Sequence, residues 1–234
     1  MNFSDWEVTD IDYQQNLSTA KIMGVTLTSL DPFYIMSLFF MWFIMMIAMM
    51  LPSAIPVILM FNKISDERKK LNYSYVKTFY FIIAYLFIWG LFSLIATAIH
   101  VILELSTLLD PMSLSVGYNI GALIFILAGI YQMTPLKNAC LRYCRNPIEI
   151  FGGKKIFENW AVLSIGAKHG IFCLGCCWVL MSLLFYAGIM NIFWIAGLSL
   201  YVIIEKYLIK AKNFNLLTGI ILILWGFVIL YNYS

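Results

Sequence analysis

Charged side chains are scarce in this chain: 12% of its 234 residues are Asp, Glu, Lys or Arg, whereas 62% are hydrophobic. An ordinary soluble domain carries about a quarter of charged residues, so this scarcity excludes a water-exposed globular fold, which has no interior large enough for so much apolar side chain. Histidine is scarcer still, at two residues, His100 and His169. With two imidazoles and scattered acids, a Ser-His-Asp or paired-carboxylate site finds no support. A haem held by two histidines would need both at one depth, but His100 lies at the end of one apolar run and His169 inside another. No internal repeat and no matched pair of broken helices is present, which argues against a transporter built from inverted repeats. The first 31 residues lack the basic stretch and short apolar core of a secretory signal. With Asp5, Glu7, Asp10, Asp12 and Asp31 against Lys21, residues 1–32 read as an acidic, uncleaved extracytoplasmic segment that docks on a partner. Ser4 and Glu7 have the spacing of a capping box for a short helix there.

What the chain does have is a succession of apolar runs, each of the order of twenty residues and so able to cross a hydrocarbon core of about 30 Å. They fall at 33–61, 78–103, 115–133, 161–187, 191–209 and 214–233. The expectation is an all-α fold, a polytopic membrane helical bundle with six transmembrane helices over residues 33–234. Pro52 and Pro56 sit in the first run, where each removes an amide donor and crowds the carbonyl four residues back. That helix should kink there or run on into the cytoplasm. Lys63, Arg68, Lys69, Lys70 and Lys77 follow the first run, and Lys137, Arg142, Arg145, Lys154 and Lys155 follow the third. Lys206, Lys210 and Lys212 flank the connection after the fifth. The alternate connections, 104–114 and 188–191, contain no Lys or Arg, so the positive-inside rule puts both termini outside the cytoplasm. Orientation thus accounts for the net charge of +3, and no nucleic-acid partner is implied.

The fourth run carries His169, Cys173, Cys176, Cys177 and Met181. At about 100° per residue these five share one helix face. Gly166 and Gly170 are interleaved with them, as close helix approach requires, and Lys168 points the other way. Thiolate and thioether ligands select Cu(I) and other soft ions. A second set of sulfurs lies on the first run, where Met41, Met45 and Met49 recur every fourth residue and Met46 and Met50 widen the same side. If the first and fourth helices touch, the two sets converge. The competing explanation is packing, because Cys and Met are soft, adaptable core residues. Three cysteines within five residues exceed what packing asks, yet they do not complete a zinc site.

Cys140 and Cys144 lie one helical turn apart among Lys137, Arg142 and Arg145. A reducing compartment argues against a stable disulfide there. The pair either receives and hands over a metal ion or belongs to a short interfacial helix that happens to carry two thiols. His100 and Glu104, also one turn apart, form either a cation-admitting site or a helix-end pair. Lys168 and Glu205 are ionisable groups inside apolar runs, and such groups usually pair; a structural ion pair between the fourth and fifth helices is expected.

Three separated pieces resemble a known family. They are Met41-Trp42 through Ala48-Met49-Met50-x-Pro52 with Pro56; Thr134-Pro135-Leu136-Lys137-x-x-Cys140-Leu141-x-x-Cys144-Arg145-x-Pro147; and Gly170-x-x-Cys173-x-Gly175-Cys176-Cys177-Trp178-x-Leu180-Met181 with Met190-Asn191, Trp194 and Glu205-Lys206. In order and spacing they are similar to an uncharacterised prokaryotic family of predicted metal-binding integral membrane proteins. The resemblance implies metal binding by Cys140, Cys144, Cys173, Cys176 and Cys177 and attaches no reaction to it. The function expected is binding or handing on a soft ion, Cu(I), by an accessory or assembly subunit of a membrane metalloenzyme complex. Its partners would be the lipid bilayer and other membrane subunits, with no catalytic activity of its own. A purely structural subunit is the alternative. A thiol oxidoreductase using Cys173 and Cys176 ranks third, because that pair lies far from the aqueous or quinone partners it would need.

Overall fold

Long runs of Leu, Ile, Phe and Met with few breakers satisfy their own backbone groups as α-helix. A computed structural model describes residues 31–70, 78–106, 108–110, 115–145, 159–188, 191–207 and 211–233, and these are almost entirely helical. In chain order they form α1 (Pro32–Lys70), α2 (Thr78–Leu105), the short antiparallel pair β1 (Leu109–Asp110) and β2 (Ser115–Val116), α3 (Tyr118–Met133), α4 (Pro135–Arg145), α5 (Asn159–Ser182), α6 (Leu184–Ala187), α7 (Ile192–Tyr207) and α8 (Ala211–Tyr233). The candidate capping box at Ser4 and Glu7 lies outside the described residues, as do Lys77, Lys154, Lys155 and Lys210.

Among the described residues, four helical segments are long and apolar enough to cross a membrane: Pro32–Glu67, Thr78–Leu105, Trp160–Ala187 and Asn213–Asn232. A fifth is added if α3 and α4, bent by 64° relative to one another, count as one crossing. The other two apolar runs give α3 and α7, each of 16 residues. At 1.5 Å per residue that is about 24 Å, short of a hydrocarbon core of about 30 Å. Outward faces of the long helices carry large exposed hydrophobics, among them Phe33, Ile44, Leu59, Phe87, Ile102 and Trp225. An apolar exterior of that extent is not the surface of a water-soluble monomer.

α1 runs on through Pro52 and Pro56 as one helix of 39 residues. Hydroxyls gather on the carbonyls around this interruption. Ser53 Oγ donates to the Met50 carbonyl at 2.8 Å and Tyr85 of α2 donates to the same oxygen at 3.3 Å. Ser199 and Tyr207 of α7 donate to the carbonyls of Met49 and Ser53 at 3.2 and 3.3 Å. The proline-bearing stretch of α1 is therefore stitched to α2 on one side and to α7 on the other.

Close backbone approach fixes the remaining pairs. A Cβ on Gly166 would lie 2.5 Å from the Phe81 carbonyl oxygen, so only glycine lets α5 lie this near α2. A Cβ on Gly129 would lie 2.6 Å from the Gly219 oxygen, and one on Gly219 would lie 2.8 Å from the Gly129 oxygen, a reciprocal seam between α3 and α8. α4 is amphipathic: Lys137, Cys140, Leu141 and Cys144, at helical spacing, form its buried face. Two residues that the sequence assigns to basic connections are thus interior, Lys137 at 0% and Lys206 at 6% exposure.

Candidate metal centre

Helical periodicity turns Cys173, Cys176 and Cys177 of α5 inward together, and all three are buried. The thiols of Cys176 and Cys177 fold back on their own helix and donate to the Cys173 carbonyl at 3.0 and 3.1 Å. Cys173 Sγ lies 3.0 Å from Lys206 Nζ and 3.3 Å from the Tyr85 hydroxyl. The Lys206 ammonium also donates to Ser53 Oγ at 2.8 Å. Cys177 Sγ stands 3.8 Å from Met50 Sδ, one helical turn along α5 from Cys173. Cys144 of α4 lies beside Cys176. Cys140 packs on Gly175, where an added Cβ would lie 3.1 Å from its sulfur. All five cysteines are free thiols and buried; sulfur atoms of α1 and α4 approach those of α5, and one α5 sulfur, Cys173 Sγ, faces the Lys206 ammonium.

The donor set decides what such a centre can hold. Among the described residues no group of three or more His, Cys, Asp or Glu is placed to hold a metal ion, so a tetrahedral zinc site or an oxygen cage for a hard ion does not fit. The Cys177–Met50 pair does fit a soft ion. A separation of 3.8 Å is short enough for one ion to reach both sulfurs with metal–sulfur bonds of about 2.3 Å, and soft thiolate and thioether ligands select Cu(I).

The other expected ligands are distributed as follows. Met181, one turn beyond Cys177, is buried in the same cluster, as are Met45, Met46 and Met49, while Met41 is half-buried at its edge. The thioether placed beside a thiol is that of Met50. His169, one turn before Cys173, is buried with its ring centroid 5.8 Å from those of Phe81 and Tyr85. Neither of its nitrogens has a hydrogen-bond partner among the described residues. Cys140 and Cys144 face the interior, so α4 brings its thiols to α5 instead of lying with them at a surface.

The expected Lys168–Glu205 ion pair is corrected by the structure. Lys168 is exposed on the outward side of α5, and Glu205 pairs with Lys137 at 2.8 Å, both side chains being almost completely buried. Gln132 Nε2 donates to Glu205 Oε1 at 3.1 Å and to Thr218 Oγ1 at 3.3 Å, and the Tyr201 and Thr218 hydroxyls are 3.0 Å apart. The Lys137 ammonium also donates to the Gln132 carbonyl, and the Arg145 guanidinium to the Glu205 backbone carbonyl. This network ties α3, α4, α7 and α8 together beside the thiols. Its neighbour in sequence, Lys206, turns to the other side of α7 and enters the thiol centre.

Sequence reasoning missed Lys206, Tyr85 and Ser53 as members of the centre. The legible signal was Glu205-Lys206, adjacent opposite charges at the end of an apolar run, which positional counting absorbed into a basic connection. No curated protein and no solved structure matches the chain. A family model described as PpoB2, copper chaperone, matches residues 39–229, a stretch that includes every sulfur of the centre; the chain belongs to that copper chaperone family.

Proposed function

We propose that this protein is a multi-pass membrane copper chaperone that holds Cu(I) on Cys173, Cys177 and Met50 and passes it on through the neighbouring thiols Cys176, Cys144 and Cys140. The observation that carries this reading is the contact of Cys177 Sγ with Met50 Sδ at 3.8 Å, one turn of α5 from Cys173, whose Sγ lies 3.0 Å from the Lys206 ammonium. Two thiolates and one Cu(I) make a net charge of −1, which is costly to bury. Lys206 brings the total to zero. Its hydrogen bond to Ser53 fixes the ammonium in place, and the Tyr85 hydroxyl fixes the sulfur it faces. Sulfur-for-sulfur exchange then moves the ion without bare charge, from the α5 thiols to those of α4. Recipients of this cargo would be metal-dependent membrane subunits, with this chain as their accessory or assembly factor.

Titration of the full chain in lipid nanodiscs, under reductant and against a chromophoric Cu(I) chelator, should show one tight equivalent per chain. Lys206→Leu should weaken it by about 10–100-fold, the range for a partner just outside the ligand set. A wild-type chain that retains no copper would overturn the proposal.

The same reading has residues 33–234 crossing the bilayer six times, with α3 and α7 as short crossings and both termini extracytoplasmic. With Lys137 and Lys206 withdrawn to the interior, the remaining basic residues still cluster on the same three connections. Single cysteines introduced at Lys69 and Arg142 in intact cells should resist an impermeant thiol reagent, whereas one introduced at Ser234 should react. Labelling at either basic position would reverse or break this topology.

A further inference from the structure

The sulfur column does not stop at Cys177. α5 and α6 carry Cys173, Cys177, Met181 and Phe185 at steps of four residues, and α1 carries Met50, Met46 and Trp42 at the same steps in the opposite direction. Two contacts bracket the column. Cys177 meets Met50 at 3.8 Å, and the Phe185 ring meets that of Trp42 at 5.1 Å between centroids. The eight residue steps between them on each side of the ladder correspond to about 12 Å of helix. Met181 and Met46 occupy that interval, 1% and 0% exposed. At the Trp42 rung stands His100 of α2, its ring 6.5 Å from that of Trp42 and 6.4 Å from that of Phe185. His100 is completely buried, yet neither ring nitrogen has a hydrogen-bond partner among the described residues. A buried imidazole normally satisfies at least one nitrogen. One turn further on, Glu104 accepts from the Tyr34 hydroxyl at 3.1 Å and is half-exposed at the end of the bundle.

We propose that His100 is a second soft-ion site and that Met46 and Met181 carry Cu(I) from it to the thiol centre. This rests on the copper reading above and adds a route to it. Imidazole and thioether are neutral donors, so the ion keeps its single positive charge along the column and binds each rung weakly. Only at Cys173 and Cys177 do thiolate–copper bonds replace S–H bonds, the two protons being released to bulk water as metal binding to thiols requires, so the ion passes from neutral to anionic ligands and is trapped there.

Cu(I) titration of the full chain in nanodiscs should show a second, weaker equivalent, and X-ray absorption should find a nitrogen ligand only when that equivalent is loaded. His100→Phe should lose the second equivalent and its nitrogen signal while keeping the tight one. Met181→Leu, which conserves volume, should keep both equivalents but slow the rise of copper–thiolate absorbance about tenfold when the ion is supplied at low concentration. Two equivalents in His100→Phe, a wild-type filling rate in Met181→Leu, or a wild-type chain with a single equivalent would each overturn the route and leave the thiol centre standing. A wild-type chain with none would overturn both.

Discussion

Replacing Cys173 and Cys177 together by serine is expected to abolish copper retention while leaving the helical fold in place. The two hydroxyls are hard and stay protonated, so the centre loses both anionic donors and keeps only the Met50 thioether. An outer partner of a metal site is worth up to about 100-fold in affinity, and removing two direct ligands should exceed that. The substitution is nearly isosteric; the hydroxyl at position 177 can donate to the backbone carbonyl of residue 173 as the thiol does, and the one at position 173 can still meet Lys206 and Tyr85. Helicity and the detergent melting profile should therefore match the parent. Lys206 would still find Ser53 at its present distance, so the ammonium keeps one acceptor. Copper bound per chain after chelator competition is the measurement; retention at the parental level would place the cargo elsewhere, on Cys140, Cys144 and Cys176.

The second large effect is expected on stability. Lys137 and Glu205 form an ion pair whose two side chains are 0% and 1% exposed. Glu205→Ala would leave the Lys137 ammonium buried with only the Gln132 carbonyl for company. Breaking a buried pair from one side typically costs about 3–5 kcal/mol, whereas replacing both partners by apolar groups of similar volume is often neutral. Glu205→Ala should thus lower the unfolding free energy in mixed micelles by about that amount. The double variant Lys137→Met/Glu205→Leu should recover most of the loss. A single variant within about 1 kcal/mol of the parent would show that water already reaches this network, since a solvated pair is worth no more than that.

The comparison between chain and structure separates what periodicity can report from what it cannot. The common face of Cys173, Cys176, Cys177 and Met181 follows from a repeat of about 3.6 residues, and the structure keeps all four inward. The apolar character of the runs and their helical state were equally legible. Their lengths as crossings were less so: the third run and α3 both end at Met133, but hydropathy does not see that the chain enters the helix through β2, which shortens it. Partners across space were not legible. The Lys168–Glu205 pairing was inferred from depth alone, but rotation about α5 turns Lys168 outward, and α4 folds back to offer Lys137 instead. Lys137 and Lys206 were hidden because a lysine near the end of an apolar run reads the same whether its ammonium reaches solvent or a thiol. Met50 was visible as part of the methionine stripe, but its contact with Cys177 depends on how α1 is set against α5, which the spacing along one helix does not report.

The adjacent placement of Glu205 and Lys206 on α7 carries one more consequence. Neighbouring residues on a helix project about 100° apart, and here one engages Lys137 while the other engages Cys173 and Ser53. α7 is therefore keyed in two directions at once. Twisting it about its own axis to withdraw the ammonium would tear the carboxylate from its lysine in the same stroke, so the helix behaves as a shaft locked by two pins. The positive charge at the centre is then a fixed landmark, and whatever displacement releases the cargo must come from the sulfur-bearing helices moving past it.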